Sequence, residues 1–362
     1  MSRPDHAHGR GIAPGTGSGP PAGATTAAVA VAVSPTPHRL AETDVRRRAQ
    51  VGLVAAMVVA LLGVTAVATH SEGGATASEG DESMAKALPS SLPYGKGMWI
   101  WQPDKTESGD VDAIVARAEH VGFTHLYVRT GSSWDGFYAG QFLDQILPAA
   151  HAAGIRVYGW DFPRLIDPAA DVARAVAAIS YRTPKGHRID GFAPDVETQA
   201  EGTHISPEAA SAYGDSLRQA VGTSVPLVAV VPRPSRERAN FPYAQVVAQF
   251  DAIAPMVYWL NREPGPDVAG ALDDLRRFDK PVFPIGQAYD GASEGGRSGV
   301  PPRAELLRFF EVAYDEGAAG VSFWVWQGAN GQAFDSIRDA PEFRVRVVGA
   351  GTFNRAGLTR RR

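Results

Sequence analysis

The sequence predicts an α/β fold: a single (β/α)8 barrel, preceded by a disordered N-terminal tail and one transmembrane helix. Three observations predict it. From Gly97 onward, short apolar runs rich in Val, Ile, Phe, Tyr and Trp alternate eight times with helical patterns. That alternation calls for a parallel sheet covered by helices. Eight units in about 250 residues suit a closed barrel better than an open doubly wound sheet. The second observation is an uncharged run of 19 residues, 51–69, rich in Val, Ala and Leu. At about 1.5 Å per residue it just crosses a hydrocarbon core of about 30 Å. The third is the composition of residues 1–50, Gly, Pro, Ala, Ser and Thr with almost no aromatic content. Such a segment cannot bury enough surface to offset its ordering entropy and reads as a disordered tail.

Arg46, Arg47 and Arg48 precede the apolar run, which argues for a cytoplasmic N-terminus and an exported C-terminal part. Ala66-Val67-Ala68 offers a cleavage site, so secretion after signal cleavage is the alternative to an uncleaved signal anchor. The long N-terminal segment and the length of the run favour the anchor. Residues 70–95 read as a flexible linker, 96–343 as the barrel, and 344–362 as a loose tail.

In order, the strands are expected at 98–102, 125–129, 156–161, 189–198, 226–231, 252–259, 281–287 and 320–327. The helices are expected at 110–121, 141–153, 168–181, from Ser206-Pro207-Glu208 onward, and at 243–250, 267–278, 303–316 and 332–337. Ser206 before Pro207 is a good N-cap and first-turn pair. No glycine-rich phosphate loop follows any strand, so neither dinucleotide nor P-loop chemistry is signalled. Net charge is −4 with no sustained basic stripe, which argues against a nucleic-acid partner. The absence of cysteine excludes disulfides and thiolate chemistry, and the nine histidines lack ligand spacing, so no metal and no cofactor are expected.

In a barrel of this kind the active site lies at the C-terminal ends of the strands. Those ends offer Trp101, Arg129, Asp161, Asp195 with Glu197, Tyr258 with Trp259, Gln287, and Trp324, Trp326 and Gln327. Asp195 and Glu197 are spaced i, i+2 and so share one strand face with Ala193. Two carboxylates in unequal environments can divide acid and base work. The plainer alternative is that they cap the next helix or pair with arginines. All seven tryptophans lie on these strands or in the loop after the second. Each alone reads as packing, and Trp99 suits the barrel interior. Gathered at one rim, they suit stacking on sugar faces.

The run Asp190-Gly191-Phe192-Ala193-Pro194-Asp195-Val196-Glu197 resembles the fourth-strand motif Asp-Gly-x-Asp-x-Asp-x-Glu of glycoside hydrolase family 18, the chitinase-like barrels. Met256-Val257-Tyr258 is similar to that family's Met-x-Tyr, and Trp324 or Trp326 falls where the family has a barrel-floor tryptophan. The resemblance implies Glu197 as the general acid, Asp195 as the residue orienting the substrate's own N-acetyl group, and Tyr258 as support for that group. It departs at Ala193, where the family has aspartate, and at Trp259, where the family has another. With Ala193 in place, Asp195 is expected to hold its proton less tightly. The run 153–160 together with Asp195-Val196-Glu197 also resembles the family 25 lysozymes, without their first-strand aspartate. The chain is similar too to glycoside-hydrolase-like barrels that follow bacterial signal anchors.

The expected function is an exported, membrane-tethered glycoside hydrolase cleaving an N-acetylated β-linked polysaccharide such as peptidoglycan. Arg129, Asp161, Tyr258, Gln287 and Gln327 would contact the glycan, and Trp101, Trp259, Trp324 and Trp326 would stack on it. A barrel that binds glycans without cleaving them is the alternative, motivated by Ala193 and Trp259. A hydrolase acting on an unrelated ester or amide is a third reading.

Overall fold

The computed structural model describes residues 91–342. The expected tail, signal anchor, most of the linker and the C-terminal tail lie outside the described residues. Among the described residues no helix is long and apolar enough to cross a membrane.

Eight parallel strands form the barrel: β1 (Gly95–Ile100), β2 (His125–Arg129), β3 (Arg156–Asp161), β4 (Gly191–Pro194), β5 (Val228–Pro232), β6 (Ala252–Val257), β7 (Ile285–Gln287) and β8 (Gly320–Trp324). Their hydrogen-bonded order runs β4-β3-β2-β1-β8-β7-β6-β5. Parallel bridges Phe192–Leu227 and Asp195–Val230 join β4 to β5 and close the ring. The helices are α1 (Val111–Val121), α2 (Gly140–Ala152), α3 (Pro168–Ser180), α4 (Pro207–Val221), α5 (Tyr243–Val247), α6 (Pro264–Leu275), α7 (Arg303–Asp315) and α8 (Gly331–Asp339). The strands are shorter than the apolar runs, because 196–198, 258–259 and 325–327 leave the ladder to enter the loops. The loop after β2 carries a two-stranded ribbon, Gly131–Ser132 against Gly136–Phe137, which its apolar pattern did not signal.

Caps set the helix boundaries. The side chains of Asp110, Asp167, Ser206 and Asn330 each accept the backbone N–H three residues on, opening α1, α3, α4 and α8. Pro168 and Pro207 occupy first-turn positions whose N–H has no partner in a helix. Gly122 closes α1 in the left-handed conformation at φ 77°.

Strand alternation divides the apolar residues into two layers. Met98, Leu126, Val157, Phe192 and Phe323 pack outward against the helices. Trp99, Tyr127, Tyr158, Trp160, Val230, Ala254 and Phe283 fill the barrel. Inside, rings form a column: Trp99 stacks on Tyr127 at 4.0 Å, and Tyr127 meets Tyr158 at 5.3 Å. Near its base sits His125, wholly buried, with its pKa pushed down to about 3 by burial and by Arg156. Only glycine fits at position 97, where a Cβ would lie 2.1 Å from the His125 ring. The Tyr158 hydroxyl donates to the Ser91 carbonyl, and Lys96 donates to the Ile337 carbonyl at 2.8 Å, tying β1 to the end of α8.

Candidate active site

The aromatic column continues upward to the C-terminal end of the barrel. Trp99 meets Trp160 at 5.6 Å and Trp324 at 6.0 Å. Trp101 lies roughly parallel to Trp324 at 6.2 Å and is 40% exposed. The indole of Trp99 donates to the Ser322 hydroxyl at 2.9 Å, and that of Trp160 to the Ile100 carbonyl at 3.1 Å. Trp324 and Trp101 therefore form a floor and wall at the mouth, resting on a hydrogen-bonded column. The peptide between Trp324 and Val325 is cis.

Asp195 lies just past β4, held by its backbone. Its N–H donates to the Asp161 carbonyl at 2.8 Å, and the Val196 N–H donates to the Val230 carbonyl at 3.1 Å. This places Asp195 and Glu197 on the face of Ala193, which lines the barrel interior. Asp195 is partly buried, and its Oδ1 is sequestered without a hydrogen-bond partner. Burial first, then the charge of Asp161, raises its pKa to about 7, against a lowering by Arg129. The like charge missing from β4 comes instead from Asp161 at the end of the neighbouring strand. Glu197 is raised well above the ordinary carboxylate range by burial, then by Asp195 and Glu201.

Tyr258 follows β6 and stands edge-on to Tyr289 at 5.6 Å. Burial raises its pKa well above 10.0, and Asp195, Tyr289 and Glu197 reinforce the rise, so its hydroxyl stays protonated beside the acids. Tyr289 donates to Glu294 at 2.6 Å. Arg129 ends β2 with its guanidinium over the Trp160 ring at 5.5 Å. Gln327 follows β8, with both amide atoms buried and unpartnered. The mouth thus brings together Trp101, Arg129, Asp195, Glu197, Tyr258 and Trp324.

Four expected substrate contacts do not reach it. Trp259 falls on the outer face of β6 by alternation, is wholly buried against Phe309, and donates to Glu305 at 2.8 Å. Trp326 turns away into the helix layer, where its indole donates to Glu107 at 3.0 Å. The Gln287 amide is consumed at the loop base, accepting from Leu260 N–H at 2.8 Å and donating to the Tyr289 carbonyl at 3.1 Å. Asp161 is fully buried and ion-paired to Arg174 at 2.7 Å; it acts on Asp195 through its charge, not on a ligand. The gathering of tryptophans is therefore partly a gathering of packing residues.

The strand-end reading missed Glu201, Arg238, Tyr289 and Glu294, all electrostatic neighbours of the Asp195, Glu197 and Tyr258 group. They sit deeper in the loops after β4, β5 and β7. Carrying the same rule a few residues beyond each strand would have reached them. Among the described residues no cluster of three or more histidine or acidic side chains could hold a metal.

The fold has counterparts in solved structures. The chain is similar to active domain 2 of a thermostable chitinase from Pyrococcus furiosus, at 10% identity and TM-score 0.51, covering 68% of this chain and 93% of that one. It is similar to a class V chitinase from Pseudomonas fluorescens Pf-5, at 13% identity and TM-score 0.50, covering 68% and 99%. It also matches α-L-fucosidase isoenzyme 2 from Paenibacillus thiaminolyticus, at 10% identity and TM-score 0.49, covering 68% and 48%. The fold is a chitinase-like (β/α)8 barrel. No family model matches the chain, and no curated protein matches it.

Proposed function

We propose that the protein is a glycoside hydrolase acting on an N-acetylated β-linked polysaccharide, with Glu197 as the acid that protonates the leaving oxygen. What carries this reading is the placing of Asp195 and Glu197 together past the end of β4, where burial and the neighbouring Asp195 push the Glu197 carboxyl well above its usual range. A general acid must carry its proton at working pH, and burial with like charges is how a carboxyl keeps one. Asp195, with an unpartnered oxygen, is free to accept the N–H of a substrate acetamido group, and Tyr258 to donate to its carbonyl. Asp161 takes over the electrostatic part that the residue at position 193 would play in the chitinase-like motif. Peptidoglycan is the substrate that fits an exported barrel, tethered through residues 51–69 with a cytoplasmic N-terminus. Release after cleavage at Ala66-Val67-Ala68 is the alternative, and the mass of the mature N-terminus distinguishes the two.

The test is release of reducing ends from chitin oligomers and from purified peptidoglycan. Glu197→Gln is expected to lower the rate by about 10²- to 10⁴-fold, the usual worth of a general acid. Ala193, which leaves the chitinase-like motif incomplete, favours a second reading, a barrel that binds glycans without cleaving them. Saturable binding with no product from any substrate would establish that one.

A further inference from the structure

We propose that the cleft between the loops after β2, β3 and β4 is an anion-binding subsite of the glycan groove, shaped for a sugar residue that carries a carboxylate. The proposal rests on the glycan reading above and names the substrate class of that same site.

The cleft has a volume of about 300 Å³ and is lined by Arg129, Ser132, Ser133, Trp134, Arg164 and Glu201, among others. Among the described residues Arg129 forms no ion pair, although Asp161 and Asp195 are within electrostatic reach, and its Nε is buried without a hydrogen-bond partner. Arg164 spends one donor on the Gly202 carbonyl at 3.2 Å and lies over the Trp134 ring at 5.0 Å, again with no carboxylate paired to it among the described residues. Elsewhere in the barrel, sheltered arginines are matched: Arg174 to Asp161 and Asp171, Arg218 to Asp251. A buried guanidinium donor without an acceptor is costly, and an incoming carboxylate removes that cost while a neutral hydroxyl does so less well.

The loop is built to hold this arrangement. Ser132 donates to Asp135 at 2.7 Å and accepts the N–H of Asp135 at 3.0 Å, and Ser133 donates to Asp171 at 3.2 Å. These bonds fix the turn that lifts Trp134, 80% exposed, to the rim as a wall for a sugar face. Glu201 is the one acid on the lining. It is exposed, so on the lining itself two guanidinium groups face one solvated carboxylate, with Asp161 and Asp195 behind Arg129. Arg129 and Glu201 both act electrostatically on Asp195, so the subsite adjoins the acid pair.

The test is calorimetric titration of the purified full-length protein with three tetrasaccharides. One is neutral chitotetraose, one carries uronate carboxylates on alternate sugars, and one is a peptidoglycan glycan fragment whose carboxylate sits on a lactyl ether. The carboxyl-reduced form of each acidic ligand serves as its control. At least one acidic ligand is expected to bind about 10- to 100-fold more tightly than its reduced form, the usual worth of a charged hydrogen bond. Arg164→Gln and, separately, Arg129→Gln should bring that ratio towards one. Which acidic ligand shows the preference assigns the carboxylate's source. Equal affinity for acidic and reduced forms overturns the subsite, and cleavage of chitotetraose alongside it would leave the hydrolase standing. Acid-selective binding without cleavage upholds the subsite and moves the function to a glycan-binding barrel. Binding of none of the ligands overturns both.

Discussion

Asp195→Asn should make the barrel more stable at neutral pH while removing its proposed activity. The wild-type carboxyl is raised from 3.8 to about 7 by burial and by the charge of Asp161. Between those two values the native state holds a proton that the unfolded chain has given up. Stability attributable to this group is therefore intact below about pH 4 and falls as pH climbs through 7. At about 1.4 kcal/mol for each tenfold change in proton affinity, the loss at pH 8 is on the order of 4 kcal/mol. Asparagine is nearly isosteric, keeps the backbone bonds to Asp161 and Val230, and is neutral at every pH. It also relieves Glu197 of a like charge that keeps it protonated. The variant should therefore gain on wild type by up to about 15 °C in Tm between pH 4.5 and pH 8, given about 2–4 °C per kcal/mol for a domain of this size. Circular dichroism melts of both proteins across that range are the assay. Parallel curves, with no widening gap as pH rises, would refute the claim that Asp195 is held protonated by its surroundings. A gain in stability purchased by loss of activity is the usual mark of a functional site.

Two further substitutions separate packing from recognition. Trp259→Ala empties a fully buried site beside Phe309 and should cost about 3–5 kcal/mol in urea unfolding. Trp101→Ala removes a ring that is 40% exposed, and should leave the urea midpoint nearly unchanged while weakening chito-oligosaccharide binding up to about tenfold. The reverse pattern would return Trp259 to the glycan face. Arg174→Met strands Asp161 and Asp171 without their cation and should cost about 3–5 kcal/mol at pH 7.5. Because Arg174 holds the Asp161 pKa down, its removal lets Asp161 protonate more readily, so the deficit should shrink at pH 5. A deficit independent of pH would show that Asp161 was never a buried anion.

The eight-fold alternation was enough to predict a barrel, because each strand and helix must bury its own apolar face and only a few architectures let all of them do so. Ser206-Pro207 was legible for the same local reason, since a cap is made within four residues of chain. The i, i+2 spacing likewise put Asp195 and Glu197 on one face without any tertiary knowledge. What sequence could not supply was where each strand stops and which way the next side chain then turns. Trp259 and Trp326 each sit two residues beyond the last residue of their strands, and both indoles lie in the helix layer, donating to Glu305 and Glu107. Trp101 and Trp324, of the same type and at equivalent strand ends, face the mouth. The charge environment was also out of reach. Ala193 removes a carboxylate from β4 itself, yet Asp161 restores one from β3, a neighbour 34 positions away in the chain and joined to Asp195 by a single backbone bond. Periodicity and caps are local, and the sequence by itself determined the barrel and the carboxylate pair. Proton affinity depends on every charge and every apolar wall within a few ångströms, so only the tertiary structure decided which acids keep their protons and which aromatic rings face the groove.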